Sequence, residues 1–305
     1  MQRLLLLFLL LATCEACSSK VVRETDVPNV TSAESETGEK SADYPELSCD
    51  EQEAPSHVSS DRQISFENVL FSLDPSWIRD VEYLVNPACF LTTANFKPDG
   101  IGGRTATFHL RYALSDDEAT ISVFEIEEYK AAFAKYPQYV ENRDGELKSL
   151  ILERSVPRAY GIDPPPHVTW MDASETFYAK ATVLDFHGGA GLLTVTQITQ
   201  DAYINISNSR LRFLFQGFTT DGKYFVEMNF PAKLKWLPDE EDEPFPLAPG
   251  EEFDSQERKQ KYDKYILETA ARINKAAPDK FRPQLGQIER FIREFEIRFG
   301  QGGGR

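Results

Sequence analysis

The sequence predicts an α+β fold, a mainly antiparallel sheet with helices packed on one face, carried behind a signal peptide and a disordered acidic tether. Three observations lead there. Alternating apolar residues broken by short-turn signals run from Thr176 to Pro231, which is the pattern of consecutive antiparallel strands. Apolar residues at helical spacing concentrate after them, from Asp254 to Phe295, so strands and helices are segregated rather than alternating as βαβ units. The first sixty residues, by contrast, show no apolar period beyond an opening run of leucines.

That run, Leu4 to Ala12 behind Met1-Gln2-Arg3, has the length of an export signal and is too short to cross a bilayer, which takes about 20 residues. Cys14 and Cys17 follow at once, and Cys17 opens the small polar group Cys17-Ser18-Ser19. The pattern resembles the lipobox of bacterial lipoproteins, which implies residues 1–17 as a lipoprotein-type signal and acylation of Cys17 or Cys14. Several acyl chains hold a soluble domain to a membrane where a single chain barely does. Cleavage after Ala16 is the alternative, leaving the chain periplasmic or extracellular.

Residues 18–61 are mostly Ser, Thr, Glu, Asp, Pro and Lys; such a stretch cannot offset its ordering entropy by burial and reads as a tether. Cys49 and Cys89 either pair across it in an oxidising compartment or stay a free thiol and a buried hydrophobe. The chain carries 33 Lys and Arg against 49 Asp and Glu, a formal charge of -16. A surface of that sign repels phosphate backbones, so nucleic acid is not an expected partner.

A single domain is expected over 62–299, with 62–158 as a subdomain and 300–305 as a frayed tail. It opens with Phe66, Val69, Phe71 and Leu73 in a short strand or hairpin, a turn at Asp74-Pro75-Ser76, and a helical piece starting at Trp77. Thr105 to Tyr112 alternates cleanly, with Ala106, Phe108, Leu110 and Tyr112 on one face. Ala119 to Ile126 returns as a strand, and Glu127-Glu128 opens a helix. A second helix is expected from Asp144 to Arg154, and Tyr160 to His167, with Pro164-Pro165-Pro166, is an extended connector. In the following strand Phe177, Ala179, Ala181, Val183 and Asp185 share a face. Gly188-Gly189-Ala190-Gly191 turns the chain, Leu193 to Thr199 returns, and Thr220-Asp221-Gly222 joins Arg210–Thr219 to Lys223–Phe230 as a hairpin. Asp254 caps a helix running to Ala276, Pro278 stops it, and a last helix starts near Pro283.

Phe186-His187-Gly188-Gly189-Ala190-Gly191, Thr196-Gln197, the hairpin Gln216-Gly217-Phe218-Thr219-Thr220-Asp221-Gly222-Lys223-Tyr224 and Phe230-Pro231 resemble an uncharacterised family of exported bacterial proteins, many with lipoprotein signals. The likeness covers roughly residues 60–298 and implies a cell-envelope location; it implies no activity.

No nucleotide loop is present, because the glycine run lacks both a Lys-Ser/Thr end and a following helix; no cofactor is expected. His187 and Asp185, two apart on one strand, are the residues an envelope hydrolase would use as a base pair, against the simpler reading of a turn histidine bonded to backbone. His109 beside Arg111 offers an anion patch or ordinary strand surface. Pro165, His167 and Trp170 in a rigid stretch, with Gly189 and Gly191 at the turn, form the candidate interface. The acidic run Asp239–Glu243 supports weak divalent cation association at most. The expected function is a non-enzymatic envelope accessory protein binding a protein partner at the membrane surface, with the hydrolase and a solute-binding or sensing module as alternatives.

Overall fold

The computed structural model describes residues 56–86, 105–113, 115–133, 143–156, 158–169, 173–200, 203–239, 245–246 and 255–298. Cys14, Cys17, Cys49, Cys89, Trp170 and residues 18–55 of the expected tether lie outside them; its last residues, 56–61, are described, and His57–Ser59 form a strand paired in the sheet rather than a disordered segment. In chain order the elements are β1 (His57–Ser59), β2 (Gln63–Phe66), β3 (Val69–Ser72), β4 (Ile78–Asn86), β5 (Thr105–Tyr112), β6 (Glu118–Glu125), α1 (Ile126–Ala132), α2 (Arg143–Leu152) and β7 (Ser174–Phe186). They continue with β8 (Gly189–Thr199), β9 (Leu211–Thr219), β10 (Tyr224–Pro231), β11 (Lys233–Leu234), α3 (Gln256–Lys275), β12 (Phe281–Arg282), α4 (Leu285–Glu294) and β13 (Glu296–Ile297).

The fold is α+β around one antiparallel sheet of eight strands in the order β1-β4-β5-β6-β10-β9-β8-β7. The four-strand meander expected from the sequence is its β10-β9-β8-β7 half. The other half joins it through β6 and β10, paired from Tyr224 with Glu125 to Asn229 with Thr120. One continuous sheet therefore runs through the 62–158 segment and the rest of the domain. A three-stranded sheet, β13-β3-β2, ties the C-terminal strand to the first hairpin.

Successive residues of a strand point to opposite faces, and in β10 Val226, Met228 and Phe230 join one core cluster while Phe225 joins another. The larger cluster lies under α3 and α4 with the β2–β3 hairpin; Ile266, Ala270 and Ile273 of α3 and Ile288 and Ile292 of α4 are buried in it. The smaller one holds Tyr129 and Ala132 of α1, Leu147 and Ile151 of α2, and Val168, packed on Leu192, Phe218 and Phe225. The helices, expected on one face, thus divide between the two, because both sides of β8, β9 and β10 are apolar.

Two further departures have local causes. The residues after Trp77 form β4 rather than a helix, and a register shift between Ile78 and Asp80 hides its alternation. In β7 a bulge between Ala179 and Thr182 centres on Lys180, whose φ of 55° is left-handed. One extra residue reverses the side-chain phase: Phe177 and Ala179 pack under α3 and α4, whereas Ala181 and Val183 face the α1–α2 side. The Lys180 N–H donates to Oδ1 of Asn274 in α3 at 3.0 Å, so the helix receives the amide that the bulge withdraws from the sheet. The cap of α3 is Ser255, one residue beyond the expected Asp254, and its side chain accepts from the Arg258 N–H.

Candidate functional site

Asp185, in β7, and His187, expected on the same strand but placed in the turn just beyond it, are both exposed, and they do not meet. The Asp185 carboxylate is engaged by the Arg154 guanidinium at the end of α2. His187 is held through its backbone: its N–H donates to the Phe295 carbonyl at 2.9 Å, and its carbonyl accepts from the Ile297 N–H at 3.0 Å. The histidine is thus the point at which the β7–β8 turn is stitched to β13, and its carboxylate neighbour is spent on another cation.

The glycine run is not a long turn either. Phe186 pairs with Gly189, which leaves a two-residue turn, His187-Gly188, with Gly188 at a φ of 103°. Gly189 and Gly191 lie inside β8 and serve close packing rather than an interface. A Cβ on Gly189 would stand 2.2 Å from the Phe218 carbonyl oxygen, and one on Gly191 2.4 Å from the Phe215 ring and 2.6 Å from the Gln216 carbonyl oxygen. His109 and Arg111, weighed as an anion patch, are both matched across strands: His109 Nδ1 lies 2.6 Å from a Glu118 oxygen, and Arg111 donates to Glu82 and Asp80. Of the acidic run, Asp239 accepts from Asn208 Nδ2 at 2.8 Å; residues 240–243 lie outside the described residues.

His167, predicted as an exposed interface residue, is instead buried, with 8% of its surface exposed. The connector that carries it is bound along its length to the sheet. Gly161 exchanges two backbone hydrogen bonds with Tyr178 in β7, and Gln216 of β9 accepts from Val168 N–H and donates to the Pro166 carbonyl. This lowers His167 between two carboxylates: Nδ1 is 3.1 Å from Oε1 of Glu175, and Nε2 is 2.6 Å from the Thr169 hydroxyl and 3.3 Å from Oε2 of Glu227. Thr169 donates in turn to Glu227 at 2.6 Å.

Burial by itself would lower the imidazole's affinity for its proton, but the charges and hydrogen bonds of Glu227 and Glu175 outweigh it and push the pKa up to about 9. Glu227 moves the other way: burial raises it, and the His167 charge with the bonds from His167 and Thr169 brings it below the usual range. Hydroxyl, imidazole and carboxylate in the order Thr169, His167, Glu175 have the connectivity of a nucleophile, base and orienting acid. The second carboxylate spoils that chemistry, because an imidazolium already donating from both nitrogens cannot take the threonine proton. What the cluster does is fasten the connector.

A concave feature that sequence reasoning missed lies elsewhere. Lys235, Trp236, Arg272, Lys275, Ala276 and Lys280 line a cleft of about 630 Å³. The short β11–β12 pairing, with Leu234 opposite Phe281, brings the residues just after β11 beside the C-terminal end of α3. The Arg272 guanidinium sits over the Trp236 indole, its central carbon 3.7 Å from the ring centroid. Lys280 has Asp279 at 3.5 Å; Lys235, Arg272 and Lys275 have no carboxylate partner among the described residues. The sequence did carry a signal: between residues 271 and 282 Arg272, Lys275, Lys280 and Arg282 stand against Asp279 alone, in a chain whose total is -16.

No group of three or more His, Cys, Asp or Glu among the described residues is arranged to hold a metal ion, and no described helix is long and apolar enough to cross a membrane. Comparison with protein-family models, with curated proteins and with solved structures finds no match.

Proposed function

We propose that this chain is a non-enzymatic accessory protein of the cell envelope, exported and tethered at a membrane surface, that docks a partner presenting an anionic group to the basic cleft. The observation that supports this reading is the cleft itself: four cationic residues and one tryptophan line it, three of the four without a carboxylate partner among the described residues, on a chain of formal charge -16. An uncompensated patch of the minority sign focuses the field and selects partners of opposite sign. Last-turn cations such as Arg272 and Lys275 do favour a helix C-terminus, but that effect is about 0.3–1 kcal/mol for each and gives no reason for a cleft. The tether and a lipid anchor would confine the encounter to the surface, so a modest interface suffices. The volume of the cleft also suits a small solute, which favours the solute-binding reading as the second one.

In-cell crosslinking of the full-length protein with membrane fractionation tests the assignment. Crosslinks to one partner, lost in a Lys235→Glu/Lys275→Glu variant and kept in a charge reversal at exposed Lys264 on the same helix, are the expected result. Equal crosslinking by all three proteins would sink the role given to the cleft. A cytosolic, unmodified chain would sink the envelope location.

A further inference from the structure

We infer that the anionic partner of the cleft is a lipid surface, so that this is the face the domain turns toward a negatively charged membrane; the inference rests on the anionic-partner reading above. The cations are laid out for a surface rather than for one small ligand. Lys235 follows β11, Arg272 and Lys275 stand in the last turn of α3, Lys280 precedes β12 and Arg282 lies in it. All five are exposed. A site for a discrete anion encloses it with a few precisely placed polar groups, whereas charges spread over three segments around an open depression meet many headgroups at once.

The ground between the charges is apolar. Trp236, Ala276 and the stems of Lys235, Lys275 and Lys280 line the depression, and no carboxylate does; Ala277 and Pro278 are exposed beside it. Tryptophan settles at the headgroup level of a bilayer, and lysine and arginine lay their stems on apolar material while their heads stay in water. An acidic protein would match the charge, but the boundary between headgroups and acyl chains also matches the indole and the stems.

The rest of the chain makes the contact directional. Lys235, Arg272, Lys275, Lys280 and Arg282 against Asp279 leave this face at +4, on a chain of -16. Charges farther apart than about 8 Å are largely screened at physiological ionic strength, so an anionic bilayer at contact meets the charge of the face presented to it. The basic face is attracted and acidic ones are repelled, which orients the domain.

Vesicle flotation of the full-length protein tests this, comparing phosphatidylcholine alone with about three parts phosphatidylcholine to one of phosphatidylglycerol. Wild type is expected to partition at least about tenfold more strongly into the anionic vesicles, and about 0.5 M salt should remove the preference. In Lys235→Glu/Lys275→Glu the ratio should fall to about one, while Lys264→Glu, exposed on the same helix, should keep it. All these proteins share one N-terminal segment, so its own affinity for lipid cancels. Both cleft lysines are exposed, so the double variant should keep its far-UV spectrum and melting temperature. With Trp236 as the sole tryptophan, brominated acyl chains in the anionic vesicles should quench its fluorescence; absence of quenching would place the contact elsewhere and overturn the inference. An anionic preference that survives the double charge reversal, or none in the wild type, overturns it too. If the in-cell crosslinks still depend on Lys235 and Lys275 in that event, the anionic-partner reading stands with an acidic protein as the partner; if they do not, both readings fall.

Discussion

His167 shows how a few atoms decide what a segment can do. Its imidazolium sits between Glu175 and Glu227, and breaking a buried ion pair from one side leaves uncompensated charge, which costs about 3–5 kcal/mol. His167→Gln is therefore expected to lose stability of that order, read from urea unfolding at pH 7. The pH dependence has two limbs. The histidine's folded pKa, about 9, lies above its unfolded value near 6.5, so its contribution is complete below pH 6.5 and is lost as pH rises through 9. Glu227 is depressed, so its contribution is complete above its unfolded value near 4.3 and is lost on acidification below it. Stability should peak between those limbs, and in His167→Gln the alkaline decline should disappear. An alkaline limb of unchanged size would show that another group causes it. Glu175 is the weaker partner: its side chain is 3% exposed and its Oε2 has no hydrogen-bond partner among the described residues. Glu175→Gln should accordingly cost less than Glu227→Gln in the same assay.

At the scale of elements, what decides a strand's faces is whether its period is unbroken. β5 is legible in the sequence because nothing interrupts it: Ala106, Phe108, Leu110 and Tyr112 are the buried residues, as their alternation indicates. β7 is legible as a strand and not as a set of faces, since the bulge at Lys180 reverses its phase and the acceptor that takes the bulged amide is on Asn274, 94 residues away. Asn274→Ala should cost about 1–3 kcal/mol, the penalty for stranding a donor, and should broaden the amide signals of 178–182 in NMR spectra; an unchanged melting curve would show that the bulge is held by sheet packing alone. In β8 the glycines looked like turn chemistry because composition cannot distinguish a glycine that bends the chain from one that makes room. Gly191→Ala, with its Cβ driven into the Phe215 ring and the Gln216 carbonyl, is expected to cost about 1–3 kcal/mol or more as overpacking, whereas alanine at Gly286 in α4, where nothing lies within 4 Å, should be neutral or slightly stabilising. The candidate sites were hidden for a related reason. His167 meets Glu175 and Glu227 only once β7 and β10 are in place, and the cleft joins residues 235–236 to 272–280 through a two-residue strand pair.

The whole molecule poses the question of whether its two halves are one cooperative unit. Composition suggested a subdomain at 62–158, because that segment has its own strands and helices. The structure gives it no core of its own: Phe71, Trp77, Phe108 and Ile121 belong to the same buried cluster as Phe213, Phe230, Ile266 and Phe295, and Trp77 meets Phe230 and Phe291 edge to face. The smaller cluster is shared in the same way, with Phe124 against Phe225. Separating the halves would expose both clusters and unpair β6 from β10, so a partly unfolded state has little left to stabilise it. Unfolding in urea should therefore be a single transition. Trp77 reports on the first half and Trp236 on the second, so variants keeping one of them and replacing the other tryptophans by phenylalanine should show coincident midpoints, matching the far-UV signal. Disrupting the seam with Val123→Asp, a buried residue of β6 opposite Val226, should lower both midpoints together. If Trp236 kept its native midpoint while Trp77 lost its own, the C-terminal half would fold alone, and the cleft could be studied on it in isolation.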